Sequence, residues 1–181
     1  MLGISNFDVN KIINRGNSAI VFKAIDKCTK RAYAIKRSLP GTLCGKYFFH
    51  NEIEIMKKII PHLNCIRLFN HWEHDNHIYL QIELCDGTLS DLIDKKTISH
   101  LNIWTILLDI AFGIEHIHKR NIVHLDLKPE NILISKGKYK IRDFGLALDL
   151  STDTEDPELH IGDRKYIALE VLQDNIFILE S

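Results

Sequence analysis

The 181 residues are 45% hydrophobic and 26% charged, with 23 basic against 24 acidic side chains. Such a mixture is too polar for a membrane protein and too apolar for a disordered one, and it is enough to bury a core in one domain or two small lobes. A net charge of −1 gives no electrostatic case for nucleic acid or an anionic membrane as partner. Cys28, Cys44, Cys65 and Cys85 form no CxxC pair, so neither a zinc ribbon nor a redox motif is suggested and reduced thiols are expected. The N-terminus has no basic region followed by an apolar one, which argues against secretion. A nuclear or cytoplasmic protein is the expectation.

Residues 11–36 read as three short strands: Ile12-Ile13, then Ile20-Val21-Phe22 after the turn at Arg15–Ser18, then Tyr33-Ala34-Ile35 after a polar turn at Asp26–Arg31. Ile53, Met56, Ile59 and Ile60 recur at helical spacing over 47–60. Ile66–Phe69 and Ile78–Leu84 read as two more strands. After Asp86-Gly87 the pattern changes, and the seam near Cys85–Thr88 is the candidate boundary between lobes. Leu89, Leu92 and Ile93 suggest a short helix. Ile103, Ile106, Leu107, Ile110, Ile114 and Ile117 give a long amphipathic one, broken by Asp109 and Glu115 and too short and polar to span a bilayer. Strand-like pieces at Asn131–Ile134 and Tyr139–Ile141 flank a turn, and a polar, acidic loop runs from Asp149 to His160.

The chemistry concentrates in His124-Leu125-Asp126-Leu127-Lys128-Pro129-Glu130-Asn131, followed by Asp143-Phe144-Gly145. The two segments resemble the protein kinase superfamily, whose HxDxKxxN and DFG motifs stand in this order. Phosphoryl transfer needs these residue types: a carboxylate to orient the substrate hydroxyl and take its proton, and a cation beside it. It also needs an amide and a second carboxylate to hold Mg2+ against the phosphates of ATP. The resemblance implies Asp126 and Lys128 as catalytic residues and Asn131 and Asp143 as metal ligands. It implies an α+β, bilobal protein-kinase-like fold, with a β-rich N-lobe over 1–84 and a helical C-lobe over 85–181, together one kinase domain from about residue 7.

Upstream segments agree. Tyr33-Ala34-Ile35-Lys36 is similar to the kinase strand whose lysine contacts the nucleotide phosphates, and Glu52, sixteen residues on, to the helix glutamate that pairs with it. Glu54 would face elsewhere on a helix. As an exposed pair, Lys36–Glu52 would contribute only about 0–1 kcal/mol to the fold. Ile78–Cys85 resembles the strand and hinge that bind adenine through backbone groups, with Ile82 at the gatekeeper position and Glu83 and Cys85 on the hinge. Aligning Val21-Phe22-Lys23-Ala24 to the family pattern sets Asn14, Gly16 and Ala19 at the glycines of GxGxxG, with Ile13 and Val21 beside them. Only the central glycine is kept, although asparagine tolerates positive φ and alanine is small.

Further segments resemble the Wee-type mitosis-inhibitory branch: Arg37-Ser38-Leu39-Pro40-Gly41-Thr42 after the lysine, His71–His77, Gly162-Asp163-Arg164-Lys165-Tyr166, and Glu170–Gln173. Leu125 stands where most kinases carry an arginine that binds a phosphorylated activation loop, so phosphorylation at Ser151, Thr152 or Thr154 need not switch the enzyme on by that route. The acidic run Asp153, Glu155, Asp156 and Glu158 either imitates phosphate or is a solvated loop. The resemblance implies a cyclin-dependent kinase as protein substrate, phosphorylated on tyrosine, although Lys128 belongs to a Ser/Thr-like loop and leaves the hydroxyl open. Four departures stand against it: the missing glycines, Arg142 before the DFG aspartate, Leu169 for a proline, and C-lobe helices that the family has beyond Ser181, which makes the C-lobe read as truncated. Arg142 would crowd the nucleotide, reach its phosphates, or swing to solvent. A pseudokinase or regulatory nucleotide- and partner-binding module without turnover is therefore the alternative to an active kinase.

Overall fold

The computed structural model describes residues 3–40, 43–98, 100–152, 162–163 and 165–166. Five antiparallel strands open the chain: β1 (Phe7–Arg15), β2 (Ala19–Asp26), β3 (Ala32–Ser38), β4 (Leu68–His74) and β5 (His77–Ile82), in the spatial order β1-β2-β3-β5-β4. Their turns follow from side chains that bond their own backbone. Asp26 Oδ1 accepts from Cys28 N and Thr29 N at 2.9 and 2.7 Å, closing the β2–β3 turn. Asp75 and Asn76 take φ of 46° and 62°, the left-handed pair that a two-residue hairpin needs. The segment His71–His77 is thus mostly strand, with only those two residues turning.

One helix, α1 (Leu43–Lys58), crosses the sheet between β3 and β4 and buries Phe49, Ile53, Ile55 and Met56. Ile60 lies past its end and is 61% exposed, so the expected stripe stops at Ile59. On the sheet's other face Trp72 stacks between Phe7 and Tyr79, with ring centroids 5.9 and 5.3 Å away. Tyr33 closes edge-on against Phe7. This second, aromatic core lies apart from the main one.

The rest comprises β6 (Gly87–Thr88), α2 (Leu89–Asp94), α3 (His100–His118), β7 (Ile122–Val123), β8 (Ile132–Ser135), β9 (Lys138–Ile141) and β10 (Leu148–Asp149). Thr88 and Asp91 cap α2 reciprocally through their side chains. Strands β6, β8 and β9 form a small sheet, and β7 pairs with β10. Helix α3 buries Ile106 and Ile117 and half-buries Ile110 and Ile114. Ile103 and Leu107, which share the periodic stripe, are 40% and 52% exposed, as are Trp104, Leu108 and Phe112 at 69%, 55% and 52%. The helix is apolar on two sides, and among the described residues only one side is covered.

Gly113 marks where α3 meets β9. A Cβ there would stand 2.8 Å from both Asn64 O and Ile141 Cδ1. Replacing a helical glycine by alanine ordinarily gains up to about 1 kcal/mol. Here a backbone carbonyl blocks the methyl, so Gly113→Ala is expected to destabilise by about 1–3 kcal/mol, the cost of overpacking a core. Urea denaturation checks the sign.

Candidate active site

Between the five-stranded sheet and the β8–β9 hairpin lies a cleft of about 820 Å³. Ile13, Asn14, Gly16, Ala19, Val21, Lys36, Glu52, Glu83, Cys85 and Asp143, all expected to meet the nucleotide or its metal, line it together. Lys36, on β3, sends its ammonium to both oxygens of Glu52 on α1, at 2.9 and 2.6 Å, and to Asp143 Oδ1 at 2.9 Å. The side chains of Lys36 and Glu52 are 13% and 5% exposed. The pair is therefore buried, and the expectation of an exposed pair is corrected. Burial opposes the Lys36 charge, but Asp143 and Glu52 outweigh it and raise its pKa. The Lys36 ammonium in turn holds Asp143 down at about 2. Glu54 points away and pairs with Lys57.

Asp143 sits at φ 66°, ψ 67°, a left-handed conformation that aspartate tolerates better than most residues. This places Phe144, fully buried, edge-on against the ring of His124, 5.1 Å away. Asn51 on α1 donates to the carbonyls of Gly145 and Ala147 at 3.0 and 2.8 Å, so the helix that carries Glu52 also grips the chain after Asp143.

Asp126, Lys128 and Asn131 form a second cluster beside the lining. Lys128 Nζ meets Asp126 Oδ1 and Oδ2 at 3.0 and 2.9 Å, and Asn131 Nδ2 donates to Asp126 Oδ2 at 2.8 Å. Burial works against the Lys128 charge, but Asp126 and then Asp163 raise its pKa. The clusters are joined by backbone: Arg142 N donates to Asn131 O at 3.0 Å. Arg142 itself lines the cleft and donates from Nε to Glu130 O at 3.1 Å, so it bends along the rim toward the Asp126–Asn131 segment.

His124 is buried, and its Nε2 donates to Arg142 O at 2.8 Å while Nδ1 accepts from Asp126 N at 3.3 Å, an arrangement that requires the neutral ring. Burial lowers its pKa. A folded-state pKa below the unfolded one gives stability that is full above the unfolded value, about 6.5, and is lost as pH falls below it. His124→Asn is thus expected to cost most above pH ~6.5 and progressively less toward pH 5, a trend that denaturant titrations of both proteins across this range would reveal.

Leu125 takes φ of 61°, and its carbonyl would lie 2.2 Å from a Cβ placed on Gly162. Only glycine fits so close an approach. Asp163 N then donates to Asp126 Oδ1 at 3.0 Å, and its carboxylate lies 3.7 Å from Lys128. Sequence reading had noted Gly162-Asp163 without giving it a place at the site, and it missed Asn51 altogether. Of the hinge residues, Cys85 faces the cleft with its thiol pushed up to about 12, by burial first and Glu83 second, and so stays protonated. The acidic residues 153–158 and the segments at Leu169 and 170–177 lie outside the described residues.

The Lys36–Glu52–Asp143 cluster lines the cleft and the Asp126–Lys128–Asn131 cluster stands beside it, the pairing that the resemblance to protein kinases implies. The chain belongs to that family: residues 7–178 match the protein kinase domain. The relatives that it matches include kinases named for the inhibition of mitosis or of cdc2. It is 34% identical to the "membrane-associated tyrosine- and threonine-specific cdc2-inhibitory kinase wee-1.3" of Caenorhabditis elegans, over 92% of this chain and 25% of that protein. It is 35% identical to the "mitosis inhibitor protein kinase wee1" of Schizosaccharomyces pombe, over 92% and 20%. To the Drosophila melanogaster cdc2-inhibitory kinase the identity is 33%, over 89% and 31%. The chain therefore spans a fifth to a third of these relatives. Among the described residues no helix is long and apolar enough to cross a membrane.

Proposed function

We propose that the chain, as one domain whose lobes meet near residues 84–85, transfers the γ-phosphate of ATP to a protein hydroxyl. We propose further that its target is a cyclin-dependent kinase, phosphorylated on tyrosine in the nucleus or cytoplasm to restrain mitotic entry. The observation that carries the reading is the joining of the two clusters: Arg142 N binds Asn131 O, which holds Asp143 and Asp126 on one rim of the cleft.

In this reading Lys36, fixed by Glu52, binds the α- and β-phosphates, and the hinge backbone at Glu83 and Cys85 binds adenine. Asn131 and Asp143 would hold Mg2+, which neutralises phosphate charge when bound. The donor set suits a hard cation: Asn131 spends its amide N–H on Asp126, leaving an amide oxygen, and Asp143 spends only Oδ1 on Lys36. Asp126 orients the substrate hydroxyl and takes its proton, while Lys128 balances charge beside it. The target is supported by the relatives' printed names, two of which specify cdc2 inhibition.

The test is incubation of the purified chain with Mg·ATP and a catalytically dead cyclin-dependent kinase, followed by mass spectrometry. Phosphotyrosine on the target is the expected result, and phosphoserine or phosphothreonine alone would overturn the tyrosine assignment. Nucleotide binding without any transfer would favour the non-catalytic module, to which Arg142 on the rim and the alanine and asparagine in the loop over 13–21 lend support.

A further inference from the structure

Lys140 is a lysine in the wrong place for a solvated charge. It is 9% exposed, it sits on β9 three residues before Asp143, and phosphoryl transfer as derived above has no use for it. A buried ammonium demands a partner, and this one finds a carboxylate: Lys140 Nζ lies 3.1 Å from Glu83 Oε2. Ser135 Oγ completes the arrangement by donating to Glu83 Oε1 at 3.0 Å. Both Ser135 and Lys140 belong to the β8–β9 hairpin of the C-lobe, whereas Glu83 follows directly on β5 of the N-lobe sheet.

Glu83 is thereby held from two sides. Its backbone N–H donates to Arg67 O at 3.0 Å, beside β4, and its side chain is taken by the C-lobe hairpin. Two residues on, no backbone group among the described residues uses the N–H or C=O of Cys85. The Cys85 backbone is thus left open to a purine edge while the Glu83 side chain is fastened. Asp143 follows the fastening hairpin two residues after β9, and the hairpin's Leu133, in register with Lys140, lines the cleft.

We infer that Lys140 is a positioning residue for adenine recognition: with Ser135 it clamps the Glu83 side chain, and so sets the distance between the hinge edge and the phosphate end of the cleft. The inference rests on the reading of the cleft as an ATP site. A buried ion pair is a poor source of stability, because apolar residues of like volume commonly do as well or better. Its place on a strand leading to Asp143 is explained by geometry instead.

The experiment compares wild type with Lys140→Met, with Lys140→Arg, and with Lys140→Met/Glu83→Met, in which both charges are removed and the fold keeps a packed interior. Equilibrium affinities for Mg·ATP, Mg·GTP and Mg·tripolyphosphate are measured by calorimetry, with thermal unfolding alongside. The double variant is expected to melt near the wild-type temperature, to bind Mg·ATP about 10-fold more weakly, and to lose most of its preference for ATP over GTP. Tripolyphosphate, which has no base, should bind within two-fold of wild type, and Lys140→Arg should recover most of the preference. A purely structural role would weaken all three ligands together. A double variant that is folded, with ATP affinity and ATP-to-GTP ratio unchanged, overturns the inference and leaves the ATP site standing. Wild type that binds neither nucleotide overturns the ATP site and the inference with it.

Discussion

Asp126→Asn is expected to cut turnover by roughly 10²–10⁴-fold, the range for a positioned acid–base group, while Mg·ATP affinity stays within a few-fold. The substitution is nearly isosteric and removes the charge together with the basicity. Asn131 Nδ2 can still donate to the oxygen of the new amide, but the amide N–H₂ then faces Lys128 and the Asp163 N–H, both of which now meet the carboxylate at 2.9–3.0 Å. Asp126 is not among the residues that line the cleft. Binding and chemistry should therefore separate, and steady-state kinetics with a protein substrate, read against calorimetry, would show it. Equal turnover by both proteins would remove Asp126 from the reaction.

Lys36→Met is expected to abolish transfer and also to destabilise the fold. An exposed pair would give about 0–1 kcal/mol, but Glu52 is 5% exposed and would be left as a buried, unpaired carboxylate. The cost of breaking such a pair is about 3–5 kcal/mol. Glu52→Gln in the same chain removes the orphaned charge and should restore much of that stability, yet none of the activity, because the ammonium proposed to bind phosphate is still missing. Denaturant curves for the single and double variants test the first half and phosphotransfer assays the second. If Lys36→Met alone left both the midpoint and the activity unchanged, the pair would be neither structural nor catalytic.

The residues of the candidate site could be singled out in the sequence because each motif is local: His124 to Asn131 and Asp143 to Gly145 fix their own geometry through short-range contacts. Strand and helix positions were legible for the same reason, since alternation and helical spacing are properties of neighbouring residues. The missing information is all long-range. Periodicity showed that α3 is apolar but not which of its sides would be covered, and Ile103 and Leu107 of its stripe are 40% and 52% exposed. The depth of the Lys36–Glu52 pair depends on α1 closing over β3, which spacing alone does not reveal. Lys140 and Glu83 are far apart in sequence, and nothing local marks a lysine between Tyr139 and Ile141 as buried. Asn51 resembles any polar residue on a helix until its two carbonyl partners, almost a hundred residues away, are in place.

The two tryptophans divide between the lobes. Trp72 is sandwiched between Phe7 and Tyr79 in the N-lobe and is 9% exposed, while Trp104 on α3 in the C-lobe is 69% exposed. Nature has thus fitted each half with its own optical reporter. Acrylamide should quench Trp104 in the native protein and spare Trp72, so emission from the shielded indole follows the N-lobe alone. Should the N-lobe melt before the C-lobe, the blue-shifted component would move first, and a single fluorescence trace would resolve two transitions that a bulk circular-dichroism signal merges.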